Sequence, residues 1–214
     1  MLSVTTILDY FTEPELLAWY LKNGKAKCEQ IGNEAKKIGN RTDTLIQVNL
    51  KELAYTMPAV NPDPADVSVS NCLAGWEAFK FDHPEFCPSV VSCQIELQIG
   101  ELIGHPDFEL QQPRGWGIVD LKTSKQIQPK HWTQVVQYAW MQQQIRGCEK
   151  AAFVGILRLD KNEAGAYQYQ EMTSLEDFVY ENKVFEAYLT AYQHAQKVRE
   201  RVRAILEQEV LDVS

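Results

Sequence analysis

The residues best suited to chemistry lie in the segment GHPDFELQQPRGWGIVDLKTSK, from Gly104 to Lys125. It contains Asp107 and Asp120, and Lys122 follows the second aspartate by two positions. Side chains two apart on a strand face the same side, so Asp120 and Lys122 are expected to project together. A buried carboxylate is costly unless it is paired or bound to a metal. A structural ion pair would therefore explain these two residues as well as a metal site would.

Asp107 favours the metal site. Antiparallel pairing about the turn QQPRG would bring Asp107 close to Asp120, and two neighbouring carboxylates repel each other. A divalent cation relieves that repulsion, and Mg²⁺ prefers a few carboxylates completed by water and phosphate oxygens. Lys122 would then be suited to act on a water nucleophile or on charge developing on a phosphate.

These residues are predicted to lie on the middle strands of a mixed sheet. β-Branched and alternating patterns predict five strands: SVVSCQIELQIG, ELIGHPDFELQ, WGIVDLKTS, KAAFVGILRLDK and AGAYQYQEM. An amphipathic helix, PKHWTQVVQYAWMQQQIRG, is predicted between the third and fourth strands, with Gly147 as its stop.

Helices are predicted on both sides of the sheet in the chain. The patterns indicate a first helix broken near Thr12–Pro14, a second over about Lys25–Tyr55 interrupted by Gly32 and Gly39, a proline-rich loop over 56–68, a short helix over about Pro64–Phe81, and a closing helix from Ser174. The order predicts an α/β (α+β) fold with a central mixed sheet of about five strands and an N-terminal helical segment. We expect one domain over residues 1–214, with a helical part (1–85), a part with the sheet and its helix (86–175) and the closing helix (174–210).

Composition limits the class of protein. The chain has 214 residues, 45% of them hydrophobic, and a formal net charge of −8, so any positive surface must be local. Its candidates are the loop Lys122–Trp132 and the stretch Gln196–Arg203, whose interleaved glutamates favour a solvated helix face. The five cysteines contain no CxxC pair, which argues against a zinc ribbon or a disulfide framework. The sequence shows no apolar run long enough to span a membrane and no signal peptide, so a cytoplasmic protein is expected.

Taken together, these segments resemble a known family of nucleases. GHPD followed after 12 residues by DLK resembles the G-x-x-D…(D/E)-x-K core of the PD-(D/E)XK nuclease superfamily. Gln134 and Tyr138, in QVVQY, match the Q-x-x-x-Y motif of its RecB-type and phage-type exonuclease branch, and their i,i+4 spacing puts them on one helix face. IVDLKTS and the N-terminal SVTTILDYF are also similar to that branch. The resemblance covers about residues 3 to 145 and implies a restriction-endonuclease-like core.

The resemblance implies roles for individual residues. Asp107 and Asp120 would bind metal, the backbone carbonyl of Leu121 would add a ligand, and Lys122 would position the attacking water and stabilise the transition state. Gln134 and Tyr138 would complete the catalytic set.

The third acidic ligand is left open by the sequence. Glu96 fits the extra acidic residue that some members have one strand earlier. Where the branch often has G-x-x-x-H, this chain has GNRTD, which puts Asp43 in place of the histidine after Gly39.

The activity implied is that of a Mg²⁺- or Mn²⁺-dependent DNA exonuclease giving 5′-phosphates in phage-like recombination, replication or repair. Its partner would be DNA with free ends, contacted by Lys125, Lys130, His131 and Arg114, with a possible homo-oligomer or phage recombination or replication partner and no membrane. No iron–sulfur cluster is expected, since no cysteine follows Cys148. The alternatives are a structure-selective endonuclease or resolvase, and a catalytically inactive nuclease-fold protein that binds DNA.

Overall fold

The computed structural model describes residues 1–10, 14–52, 64–147 and 150–212. Most of the predicted break near Thr12, most of the predicted proline-rich loop and Cys148 lie outside the described residues. The four described cysteines are free thiols. Among the described residues, every helix is too short or too polar to pass through a bilayer.

The N-terminal part is mainly helical, and it is followed by five consecutive strands, a helix, two strands and a closing helix. The helices are α1 (Val4–Leu8), α2 (Pro14–Asn23), α3 (Lys25–Glu52), α4 (Pro64–Asp82), α5 (Phe86–Ser89), α6 (Pro129–Arg146) and α7 (Leu175–Asp212). The strands are β1 (Leu2–Ser3), β2 (Val90–Cys93), β3 (Leu97–Ile99), β4 (Leu102–Gly104), β5 (Phe108–Gln112), β6 (Gly115–Lys122), β7 (Phe153–Leu159) and β8 (Tyr167–Met172).

The main sheet has five strands in the order β2-β5-β6-β7-β8. β6 pairs parallel with β7, joined through α6, and the other neighbours are antiparallel. This confirms the predicted mixed five-stranded sheet flanked by helices, with the WGIVDLKTS strand at its centre. A smaller sheet has the order β1-β4-β3.

Each face of the main sheet packs against its own apolar cluster. On one face Trp116 and Ile118 pack with α1, α6 and Phe185 of α7. On the other face Val119 and Leu121 pack with α4 and the aromatic residues around Trp76. The alternation along β6 therefore sends Asp120 to the same side of the sheet as Ile118, towards α6.

Two predicted strands are each split in the structure. SVVSCQIELQIG turns at Gln94, whose φ of 48° ends β2 and lets β3 join the smaller sheet. ELIGHPDFELQ is divided into β4 and β5, which also belong to different sheets. Asp107 was expected within a middle strand, but it lies immediately before β5 instead.

α3 is continuous through both glycines that were expected to interrupt it. A glycine in a helix costs only about 1 kcal/mol relative to alanine, and packing of buried Cys28 and Ile46 compensates in a helix of 28 residues. Two other helix predictions are confirmed: α6 stops at Gly147 with a φ of 73°, and the Asp177 N–H donates to Ser174 Oγ at 3.3 Å at the start of α7.

Candidate active site

A cleft of about 500 Å³ lies between α3, the end of β6 and α6. It brings together seven of the residues singled out in the sequence: Asp43, Asp107, Asp120, Leu121, Lys122, Gln134 and Tyr138. They come from four separate segments of the chain, so their convergence is a property of the tertiary structure.

The β5–β6 hairpin positions the first two carboxylates. Phe108 pairs with Val119 in the antiparallel register, which puts Asp107 beside the end of β6. There, Asp107 Oδ2 accepts a hydrogen bond from the Leu121 N–H at 2.6 Å. The residue whose carbonyl was expected to bind a metal thus also fixes the orientation of the Asp107 carboxylate.

Asp120 and Lys122 form the ion pair that strand geometry predicts. Asp120 is 2% exposed, and its Oδ2 lies against Lys122 Nζ with no hydrogen-bond partner of normal geometry among the described residues. Burial by itself lowers the pKa of Lys122, but the nearby charges of Asp120 and Asp107 outweigh it and raise that pKa. Lys122 is therefore a protonated ammonium at neutral pH.

Negative charge is crowded in the cleft. The pKa of Asp107 is raised well above its ordinary value, first by burial and then by the charges of Asp120 and Asp43. Burial also raises the pKa of Asp43, with a further contribution from Asp120. Carboxyls that resist ionisation in this way gain most from a nearby cation.

Asp43 and Glu96 differ in position. Asp43, on α3, lines the cleft, and its Oδ1 and Oδ2 accept hydrogen bonds from Gln47 Nε2 at 2.7 Å and from Gln94 Nε2. Glu96 is exposed and is not among the cleft-lining residues. Of the two acidic residues left open by the sequence, the structure brings only Asp43 to the other carboxylates.

The Gln134–Tyr138 pair forms the α6 wall of the cleft. Gln134 Nε2 donates to Tyr138 Oη at 2.7 Å and to Thr5 Oγ1 at 3.4 Å, so α1 contributes to the same network. Burial, followed by the Asp120 charge, raises the pKa of Tyr138. The Tyr138 ring packs on Gly104, where an added Cβ would lie 2.8 Å from Cδ1. This contact is the physical reason for a glycine three residues before Asp107.

The four residues expected to contact DNA are not brought to the cleft. His131 is 6% exposed and accepts the Gln128 N–H through Nδ1 at 3.1 Å, as part of a capping box at the start of α6. Burial, followed by Lys122 and Lys130, lowers its pKa to about 3. A buried neutral imidazole with this structural role does not present a charge to a phosphate, and the DNA contact of His131 stays a prediction.

The other three basic residues also lie away from the cleft lining. Lys130 pairs with Asp9 at 3.0 Å. Arg114, in the β5–β6 turn, donates to both carboxylate oxygens of Glu171 at 2.7 Å. Lys125 is exposed on the loop after β6, and it remains a candidate for a contact outside the cleft.

Sequence reasoning missed much of the cleft wall. The further lining residues are Ser3, Thr5, Ala35, Lys36, Gly39, Asn40, His105, Thr123, Ser124 and Lys161. One signal was available: Lys36, Gly39, Asn40 and Asp43 have the i, i+3, i+4, i+7 spacing of a single helix face. Gly39 permits a close approach there, since an added Cβ would lie 3.2 Å from Thr123 Oγ1.

The donor set suits a hard divalent cation, although its side chains are not arranged as a finished site. Carboxylate and carbonyl oxygens are the ligands of Mg²⁺ and Mn²⁺. Among the described residues, no three His, Cys, Asp or Glu side chains are arranged to hold one ion as they stand. Lys122 Nζ provides the positive charge next to Asp120 instead.

Solved structures similar to this chain include two distant likenesses. No family model matches this chain, and no curated protein matches it. An alkaline exonuclease from Laribacter hongkongensis is similar with 10% sequence identity and a TM-score of 0.43, over 96% of this chain and 94% of that one. A protein designated SSO0001 is similar with 12% identity and a TM-score of 0.30, over 68% of this chain and 85% of that one. Both scores are low, and a function for this chain has to be inferred from the cleft itself.

Proposed function

We propose that this protein is a Mg²⁺- or Mn²⁺-dependent deoxyribonuclease, an exonuclease that hydrolyses phosphodiester bonds at DNA ends and leaves 5′-phosphates. The observation that supports it most is the convergence of Asp107, Asp120 and Lys122 with the Gln134–Tyr138 pair in one cleft. A structural ion pair alone would need neither a second buried carboxylate nor a lysine at a cleft wall.

In this proposal Asp43, Asp107 and Asp120 hold the cation, with the Leu121 carbonyl as a further ligand. The raised pKa values of Asp107 and Asp43 support this assignment, because crowded carboxylates need a positive charge to remain ionised together. A bound divalent cation would supply positive charge against the phosphate that is attacked.

The chain's own residues have distinct tasks in the reaction. Lys122, a protonated ammonium whose side chain is 19% exposed, donates hydrogen bonds to the attacking water or to a phosphate oxygen and stabilises the charge that develops there. Tyr138 Oη, positioned by Gln134, is available as a donor to a phosphate oxygen. Because Tyr138 is 3% exposed, this contact is shielded from bulk water and is stronger for it.

The test is hydrolysis of end-labelled linear DNA, single- and double-stranded, with Mn²⁺ beside a closed circular substrate. We expect degradation from ends, no cleavage of the circle, and loss of activity by at least about a hundredfold in Lys122→Ala and Asp120→Asn, the scale of removing a transition-state donor. Cleavage of the closed circle would make the enzyme an endonuclease. Equal inactivity of the wild type and both variants on every substrate would refute the proposal.

A matched pair of variants separates the two acidic candidates. Asp43→Asn should reduce Mn²⁺ affinity and activity, whereas Glu96→Gln, an exposed residue away from the cleft, should change neither. Calorimetric titration with Mn²⁺ measures the affinity directly. Equal effects of the two substitutions would contradict the assignment of Asp43.

One observation favours a second candidate, a nuclease-like protein that binds DNA without cleaving it. The Lys122–Asp120 contact neutralises a carboxylate without any metal. The same Mn²⁺ titration decides between the two functions, since the inactive protein should show no binding that depends on Asp107 or Asp120.

A further inference from the structure

Two lysines line the cleft from elements that the site residues do not share. Lys36 lies on α3, and Lys161 follows β7. Neither forms an ion pair with an acidic side chain within residues 1–10, 14–52, 64–147 and 150–212. Both side chains therefore line the cleft without an acidic partner among the described residues, in a chain whose net charge is −8.

The position of Lys161 is fixed by its backbone, and its neighbouring carboxylate is already engaged. Asn71 Nδ2 of α4 donates to the Lys161 carbonyl at 3.1 Å. Asp160 accepts from Arg158 Nη1 at 3.0 Å and from the Asn162 N–H at 2.8 Å. Asp160 is therefore held by other donors, and the Lys161 ammonium remains available to an anion.

Lys36 belongs to the same helix face as Asp43. Asn40 lies one turn further along α3, between Lys36 and Asp43, and all three line the cleft. A strand whose phosphate lies against the carboxylates would thus pass a cationic donor and an amide donor along one helix face.

The remaining wall offers hydrogen-bond donors rather than surfaces for stacking. Hydroxyl groups come from Ser3, Thr5, Thr123 and Ser124. Tyr138 is a lining residue with a large aromatic ring, but it is buried and its hydroxyl is bound by Gln134. Proteins that bind single strands through their bases present exposed aromatic faces. Among the described lining residues, the imidazole of His105 is the one exposed aromatic ring.

We propose that Lys36 and Lys161 bind two backbone phosphates of the strand that enters the cleft, and that the protein recognises this strand by its phosphates and not by its bases. The inference rests on the proposed function in taking the ligand as DNA. It identifies the substrate class as DNA of any sequence, including stretches that lack bases altogether.

Binding is tested without cleavage, by fluorescence anisotropy of a labelled short DNA duplex in EDTA. Lys36→Gln and Lys161→Gln are compared with Lys37→Gln, the adjacent exposed lysine of α3 that is not among the lining residues. Each cleft variant should lower the slope of log affinity against log salt by about 0.9, equivalent to roughly a threefold change between low and moderate salt. Lys37→Gln should leave the slope unchanged.

The same duplex with a tract of abasic sites in one strand tests whether the protein recognises the strand by its phosphates. We expect binding within about twofold of the intact duplex, because the phosphates are retained. Cleft variants that behave like Lys37→Gln would overturn the lysine assignment, and a loss of binding of tenfold or more with abasic DNA would overturn recognition by phosphates. Cleavage is measured separately in Mn²⁺. Binding that depends on the lysines, without any cleavage, would refute the proposed nuclease activity and support the role of the lysines. Cleavage with binding that does not depend on the lysines would support the nuclease activity and refute the role of the lysines.

Discussion

Replacing Asp107 by asparagine should stabilise the protein in the absence of divalent cations and abolish the proposed metal-dependent activity. The carboxyl is buried beside Asp120 and Asp43, and both charges oppose its ionisation. Asparagine has nearly the same shape, and its Oδ1 can still accept the Leu121 N–H that now binds Asp107 Oδ2 at 2.6 Å. The substitution therefore removes the repulsion while it keeps the hydrogen bond.

The size of the gain follows from the cost of burying a poorly compensated polar group, about 1–3 kcal/mol in protein mutational data. For a chain of this length, each kcal/mol corresponds to about 2–4 °C in the melting temperature. Asp120→Asn is the matched comparison, and it should change the stability in the opposite direction. It leaves the partly buried Lys122 ammonium without its ion-pair partner, so we expect a loss of about 1–3 kcal/mol.

The stability of the wild type should change with pH in a definite direction. The pKa of Asp107 is raised in the folded protein, so between the ordinary carboxyl pKa and the raised value the folded state binds more protons than the unfolded state. Stability of the wild type should therefore fall as pH rises through this window and then level off. Asp107→Asn lacks this component, so its advantage should grow across the same window.

Thermal unfolding in EDTA from acid to neutral pH, followed by circular dichroism, measures all three proteins. Addition of Mn²⁺ should raise the melting temperature of the wild type and leave that of Asp107→Asn almost unchanged. If Asp107→Asn is less stable than the wild type at neutral pH without metal, the carboxylates do not repel one another, and the electrostatic argument for a cation site fails.

Two further substitutions test the support of the site. Gly104→Ala places a Cβ 2.8 Å from Tyr138 Cδ1, so we expect a cost of about 1–3 kcal/mol from displacement of the ring and reduced activity. As a control, Gly32→Ala, with nothing within 4 Å of the added Cβ, should instead stabilise α3 by about 0.5–1 kcal/mol. Equal melting temperatures for the two variants would contradict the packing argument. His131→Gln should preserve the capping box with Gln128 and make the stability of the protein less sensitive to acid. The His131 pKa of about 3 in the folded state makes the wild type lose stability as pH falls below about 6.5. Urea midpoints that decline equally in both proteins between neutral and mildly acid pH would contradict this prediction.

Sequence patterns predicted the five strands of the main sheet, the α6 stop and the closing helix, because each depends on residues that are near one another in the chain. They failed where tertiary pairing overrides local pattern. An apolar alternation runs through SVVSCQIELQIG without a break, yet Gln94 adopts a positive φ and sends β2 and β3 to different sheets. The two glycines of α3 signal breaks by propensity alone, but packing along the helix outweighs their small cost.

For the site, the sequence alone determined what periodicity can fix. The period of a strand put Asp120 and Lys122 on one face, and the period of a helix put Gln134 beside Tyr138. Only the tertiary structure brought Asp43, and not Glu96, to the cleft and placed Lys36 and Lys161 in its lining. Those choices depend on how α3 and the β7–β8 connection pack against the end of β6, and the periodicity of a single element contains no information about which distant element it contacts.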